Sequence, residues 1–264
     1  MRACPYWYDL IIDHSNLGSE GAMNLVVIPA YNEEAKIGHI LKQVKDFQPS
    51  MHILVVDDGS TDNTSEIVRE AEVDHYIRFD TNRGYGKALT AGFDFLRESE
   101  YRWMITLDGD GQHDPSELSS FVQHFGYADI LSGSRLLPES PRLSGAPGRR
   151  IYWNNLVTAV INERTNYNLT DAFCGYKAFS REAVDALRPT TDGYIFPLEL
   201  FLLAKKANLT VREIPVSMIY FEQVRDLKYY IESSYEESVD FLKREFSAKE
   251  IERFTRLLSS ITEM

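Results

Sequence analysis

The sequence predicts an α/β fold with a mostly parallel central sheet and helices on both faces. Three observations carry that expectation. Short apolar, β-branched runs recur along the chain, as in strands buried on both faces. Each run is followed by a stretch of helical length, the alternation that joins parallel strands through right-handed crossovers. Polar clusters stand where the runs end, at Tyr31-Asn32-Glu33, Asp57-Asp58-Gly59-Ser60 and Asp108-Gly109-Asp110. In such sheets ligands bind beyond the carboxyl ends of the strands.

Asn24 to Ala30 (NLVVIPA) reads as the first strand, ended by Pro29, with Asn32 placed to cap a helix reaching about Phe47. Met51 to Asp57 is the second strand, and Ser60 is the expected cap of a helix from Thr61 to about Val73. His75 to Phe79 is a weaker strand, followed by a helix from about Tyr85 to Arg97. Tyr101 to Leu107 is the fourth strand. Asp114-Pro115-Ser116-Glu117 then offers a capping carboxylate, proline at the first helical position, and Glu117 to close a capping box. Beyond Asp129 to Gly133 lies a Gly/Pro-rich stretch, Ser134 to Gly148, expected as a mobile loop carrying Arg135 and Arg142. Arg149 and Arg150 follow it. A helix near Ile151–Arg164, a segment from Leu169 to Ser180, a helix around Pro197–Asn208 and a strand near Val211–Ile219 complete the body. The tail carries two apolar helical stripes, Tyr235, Val239, Leu242, Phe246 and then Ile251, Phe254, Leu258, Ile261, with Ser247 and Glu250 as a capping box between them. These C-terminal amphipathic helices would pack on the parent domain, on a second copy as a homodimer, or peripherally on a membrane surface.

Length and composition narrow the function. The 264 residues suit one α/β domain, divided here as an extension over 1–22, a body over 23–225 and a helical tail over 226–264. A net charge of −12 lacks the basic footprint of a nucleic-acid binder, so no nucleic-acid partner is expected. Two cysteines, Cys4 and Cys174, give no disulfide framework and point to a reducing, cytoplasmic setting. No apolar run approaches the roughly 20 residues that span a bilayer.

The acidic clusters carry the chemistry. Asp108 and Asp110, with a glycine between, can point the same way from a tight turn after a buried strand. One or two carboxylates plus substrate phosphates and water is how Mg²⁺ or Mn²⁺ is held. Such an ion offsets charge on a departing diphosphate. Asp57 and Asp58 exceed what a helix cap needs, and a carboxylate there could meet a ribose or a base N–H. Arg135 could meet a phosphate as a charged donor. In Asn82-Arg83-Gly84-Tyr85-Gly86-Lys87 the glycines, Lys87 and a following helix N-terminus favour phosphate, although no Walker or dinucleotide spacing is present. His39, His75, His113 and His124 have no ligand spacing with cysteine, which argues against zinc, and no G-x-S-x-G supports a hydrolase elbow.

Together, Val27 to Glu34 (VIPAYNEE), Asp57 to Thr64 (DDGSTDNT), Asp108 to Asp114 (DGDGQHD), Gly133-Ser134-Arg135, Thr170 to Phe179 and the Glu199 and Glu213-Ile214-Pro215-Val216 region resemble family 2 glycosyltransferases of GT-A fold. The nearest likeness is to synthases of polyprenyl- or dolichol-phosphate mannose and glucose, over about residues 24–220. The resemblance implies that Pro29, Ala30, Tyr31, Glu33 and Asp57 or Asp58 hold the nucleoside of a nucleotide diphosphate sugar, a GDP- or UDP-hexose. It implies that Asp108, Gly109, Asp110 and Gln112 meet the metal and diphosphate, that Arg135 approaches a phosphate, and that Asp171 lies near the acceptor. It also implies inversion by a single in-line displacement. Two departures stand out: the amphipathic tail replaces the transmembrane helices of many relatives, and only Arg225 and Lys228 offer charge after the Ile214-Pro215-Val216 strand.

The acceptor decides whether a base is needed. A lipid phosphate is largely dianionic at neutral pH and needs only positive partners. A soluble or glycan hydroxyl needs a general base, for which Asp171 is the candidate. A reading of another class, a non-catalytic nucleotide-binding module, keeps the same motifs without turnover. A nucleotidyltransferase would want a glycine-rich basic loop after the first strand, where this chain has Ala30-Tyr31-Asn32-Glu33.

Overall fold

A computed structural model of the chain describes residues 23–141 and 148–220, with positions 241 and 247. At its centre lies β1 (Asn24–Ala30), parallel to β2 (His52–Asp57) on one side and to β4 (Trp103–Thr106) on the other. β3 (His75–Arg78) extends the sheet beyond β2. On the far side of β4 come β6 (Lys177–Ser180), β5 (Ile130–Ser134) and β7 (Val211–Pro215), giving the order β3-β2-β1-β4-β6-β5-β7.

The period of two in the strands divides the core between the two faces. Val26 and Ile28 of β1 with Ile53 and Val55 of β2 meet α1 (Ile37–Phe47), α2 (Thr64–Glu70) and α4 (Leu118–Gln123). Leu25, Val27, Leu54 and Val56 face the other way, into α3 (Tyr85–Glu98), α6 (Arg181–Ala186) and α7 (Phe196–Lys206). A third cluster joins α5 (Gly148–Thr165) to α7 through Trp153, Val157, Ile161, Leu198 and Phe201.

β6 is antiparallel to both β4 and β5. The sequence reading left Leu169 to Ser180 unassigned, because four residues containing a lysine carry little strand signal. Lys177 nevertheless sits inside the sheet: its Nζ donates to Ser132 Oγ on β5 at 2.7 Å and lies 4.7 Å from the centre of the Phe201 ring. The reversal has a consequence for function. It brings the segment before β6, Asp171 to Gly175, to the rim where the parallel strands end.

Several expected caps are employed otherwise. α1 begins only at Ile37, and Asn32, at φ 55°, uses Oδ1 to accept the Thr61 N–H at 2.8 Å. Ser60 Oγ accepts the Asn32 N–H at 3.0 Å, and α2 starts at Thr64 with no side-chain cap. These bonds zip the loop after β1 to the loop after β2. Asp114 does cap, accepting the Ser116 N–H at 2.9 Å, but a 3-10 turn over Pro115–Glu117 comes first. Glu117 closes no capping box and instead holds the Ser217 N–H and hydroxyl, at 2.8 and 2.6 Å. α5 starts at Gly148, directly beyond residues 142–147, so Arg142 lies outside the described residues. The extension over 1–22 and nearly all of the tail lie outside them too. At position 241 the tail is helical, and Phe241 is buried in the α5–α7 cluster. Among the described residues no helix is long and apolar enough to cross a membrane.

Candidate active site

The rim at the carboxyl ends of β1, β2, β4 and β5 collects most of the residues picked out in the sequence. Tyr31 follows β1 directly, Asp57 ends β2, Asp108 lies two residues past β4, and Arg135 follows β5. Their surroundings give them different roles.

Asp57 is consumed by the fold. One carboxylate oxygen accepts the Ser60 N–H at 2.8 Å, and the other accepts the hydroxyls of Ser65 and Tyr76, with Arg78 3.5 Å away. Asp58 accepts the backbone N–H groups of Arg83 and Gly84 at 2.6 and 2.9 Å, and burial pushes its pKa up. The start of α3 is likewise filled from within, since the carbonyl of Asp192 takes the N–H groups of Gly86 and Lys87 at 2.8 and 3.3 Å. A backbone carbonyl thus stands at the helix start where the sequence predicts phosphate.

The turn after β4 is different. Asp108 keeps a quarter of its side chain exposed, and its Oδ1 accepts the Tyr85 hydroxyl at 2.9 Å. Asp110 accepts the Gln112 backbone N–H at 2.9 Å and the Gln112 side-chain amide at 2.7 Å, while Lys36 Nζ donates to the Asp110 carbonyl at 2.7 Å. Burial raises the pKa of both carboxylates, and the charge of Asp108 raises that of Asp110 further. Two crowded carboxylates that resist ionising together are a donor set a divalent cation would relieve. Among the described residues no group of three His, Cys, Asp or Glu side chains forms a complete protein cage. Mg²⁺ or Mn²⁺ takes only one or two carboxylates from a protein, with water and phosphate as further ligands. The residues present therefore fit such an ion.

Beneath the turn, His113 Nδ1 accepts the Asp108 N–H at 3.1 Å while its ring stacks on Tyr176 at 4.9 Å. Accepting at Nδ1 fixes the tautomer with hydrogen on Nε2, 3.7 Å from Asp108 Oδ2. Burial lowers the His113 pKa to about 4.

Beside the turn, Arg135 and Asp171 form a buried two-pronged ion pair, Nε to Oδ2 at 2.7 Å and a terminal nitrogen to Oδ1 at 2.9 Å. The Arg135 N–H adds a third bond to Asp171 at 3.1 Å. Burial opposes both charges, yet each partner's field outweighs it, holding Arg135 high and Asp171 low in pKa. A carboxylate with both oxygens engaged and a depressed pKa is a weak general base. In this arrangement Asp171 positions Arg135. It is fixed in turn by Glu213 of β7, whose carboxylate accepts the backbone N–H groups of Thr170 and Asp171 at 2.9 and 3.0 Å. Arg135 and Asp171 line a recess of about 480 Å³, open solvent included, with Arg150, Asn154, Trp153 and Phe173. The Asn154 side-chain N–H₂ is buried there without a hydrogen-bond partner.

The sequence model of glycosyl transferase family 2 matches residues 25–188, more than half of the chain and all of this rim. The chain is a family 2 glycosyltransferase. Among relatives, this transferase is 32% identical over 202 residues to polyprenol monophosphomannose synthase of Mycolicibacterium smegmatis, covering 73% of this chain and 76% of that one. It is 30% identical over 203 residues to undecaprenyl-phosphate mannosyltransferase of Micrococcus luteus, covering 74% and 83%. In structure it resembles glucosyl-3-phosphoglycerate synthase of Mycobacterium tuberculosis, crystallised with Mn²⁺, UDP and glucosyl-3-phosphoglycerate, with a TM-score of 0.65. That match, at 18% identity, covers 85% of this chain and 80% of the other and shows the shared GT-A fold.

Three parts of the transferase site escaped the sequence reading. Tyr85 and Gly175 approach Asp108 from elements distant in sequence, and Lys36 reaches the turn from the entry to α1. His113 was weighed only as a zinc ligand. No local pattern announces the contacts of Tyr85 and Gly175, which depend on the crossing of α3, β4 and β6, or that of Lys36, which depends on how α1 packs beside β4.

Proposed function

We propose that the transferase moves a hexose from a nucleoside diphosphate sugar to a polyprenyl-type phosphate, with inversion at the sugar carbon. The observation that carries this reading is the Arg135–Asp171 recess beside the Asp108-Gly109-Asp110 turn. It offers positive charge and a spare amide donor, and among the described residues its carboxylate, Asp171, is bound to Arg135 through both oxygens. Arg135 and Arg150 both act favourably on the charge of Asp108, so the recess and the turn share one electrostatic field. Such a recess suits an acceptor that arrives already anionic better than a hydroxyl, for which Asp171, held low in pKa, is a weak base. The names of the two bacterial relatives, which act on polyprenol and undecaprenyl phosphates, agree with this.

Asp108 and Asp110 would hold the divalent cation, with Gln112 as a further oxygen donor, and the ion would supply charge neutralisation to the leaving diphosphate. Pro29 and Ala30 end β1 and Tyr31 and Glu33 follow it, where the nucleoside would lie against the zipped loops. Asp57 and Asp58 serve that site by fixing those loops. Arg135, held by Asp171, would orient the acceptor phosphate for attack opposite the leaving group, and Asp110 and Gly109 would flank the diphosphate. Lys87, in the first turn of α3, would lie on the diphosphate side.

Incubation with radiolabelled GDP-mannose or UDP-glucose, Mn²⁺ and either a short polyprenyl phosphate or the matching polyprenol tests the reading. Labelled lipid is expected only from the phosphate. Equal transfer to the alcohol would overturn the acceptor assignment.

A further inference from the structure

We propose that Tyr85 is a positioning residue for the divalent cation, holding the Asp108 carboxylate in the orientation that binds it. This rests on the reading of Asp108 as a cation ligand. The Tyr85 hydroxyl donates to Asp108 Oδ1 at 2.9 Å. A Cβ built on Gly175 would lie 2.5 Å from Asp108 Oδ2 and 2.7 Å from the Tyr85 oxygen, so the backbone of residue 175 presses on both partners. Only glycine allows that approach.

The tyrosine is itself anchored. Its ring stacks on Tyr194 with centroids 5.9 Å apart and planes at 15°. The backbone on one side is held by Asp58, which accepts the Gly84 N–H, and on the other by the Asp192 carbonyl, which accepts the Gly86 N–H. Glu199 of α7, buried, accepts the N–H groups of Thr190 and Thr191 and so fixes the loop that carries Asp192 and Tyr194. A side chain held this firmly spends little conformational entropy in making its bond. Partners that orient a metal-ligating group typically contribute 10- to 100-fold in metal affinity.

Tyr85→Phe keeps the ring and its stack and removes only the hydroxyl. The full chain and this variant are titrated with Mn²⁺ in the presence of UDP, and separately of GDP, with free Mn²⁺ read by electron paramagnetic resonance at a temperature where both proteins are folded. The half-saturating Mn²⁺ concentration is expected to rise roughly tenfold or more in Tyr85→Phe. The melting temperature without metal should stay unchanged. Equal Mn²⁺ affinity in the two proteins would overturn the role of Tyr85 while leaving the metal site standing. If the unmodified chain takes up no Mn²⁺ with either nucleotide, the metal reading and this inference fall together.

Discussion

At the scale of single residues, identical side-chain types serve opposite ends. Asp57 and Asp58 are structural pins whose oxygens are taken by internal donors, whereas Asp108 and Asp110 crowd together at the solvent side of the same rim. Residue type and spacing found all four, but only the fold shows which of them internal donors engage, because the partners of Asp57 lie as far along the chain as Tyr76 and Arg78. His113 shows the same limit and yields a pH prediction. Its folded pKa of about 4 lies below the ordinary 6.5, so the unfolded chain binds the proton more readily. The stabilisation from keeping it neutral is complete above about pH 6.5 and is lost as pH falls towards 4. The loss amounts to about 2–3 kcal/mol. Urea unfolding of the metal-free protein at pH 7 and pH 4.5 should therefore show a steeper decline for the unmodified chain than for His113→Gln. Parallel declines would mean that His113 already carries its proton in the folded state.

At the scale of elements, the parallel half of the sheet was legible because its strands are apolar and β-branched and alternate with helices of ordinary length. β1, β2, β3 and β4 all lie inside the stretches read as strands. The elements missed were short and polar in composition: β6 with Lys177, and α6, where a six-residue helix leaves no periodic signal. Helix starts shifted for a common reason. Asn32 and Ser60 gain more by bonding to each other's loops across the rim than by capping their own helices. The close fit of α3 against the loop from Thr190 to Tyr194 is an element-level property with its own test. A Cβ at Gly86 would lie 2.3 Å from the Thr191 carbonyl oxygen, with Asp192 backbone atoms at 3.0 and 3.1 Å. Alanine in a helix ordinarily gains about 0.5–1 kcal/mol over glycine. Overpacking against backbone loses about 1–3 kcal/mol. Gly86→Ala should therefore lower stability despite its better helix propensity, and should speed proteolytic cleavage between 190 and 194. A variant as stable as the parent, with unchanged cleavage there, would mean that this loop yields freely.

At the scale of the whole molecule, one sheet edge gathers two kinds of electrostatics. The acidic turn after β4 suits a cation and the Arg135 recess after β5 suits an anion, so under the proposed function a chain of net charge −12 would meet its two phosphate-bearing substrates at separate places on the rim. The antiparallel β6 makes that arrangement, carrying Asp171 to Arg135 and Gly175 to Asp108 in one five-residue stretch. Of the tail, Phe241 packs in the cluster that joins α5 and α7. The measurement closest to the core of the proposed chemistry is calorimetric titration of Mn²⁺ into the protein with UDP or GDP present, in the parent and in Asp110→Asn. Mn²⁺ should bind the parent tightly only when a nucleoside diphosphate is present, and the heat should vanish in Asp110→Asn. Nucleotide binding of equal strength in EDTA, or an unaltered Mn²⁺ isotherm in Asp110→Asn, would contradict it.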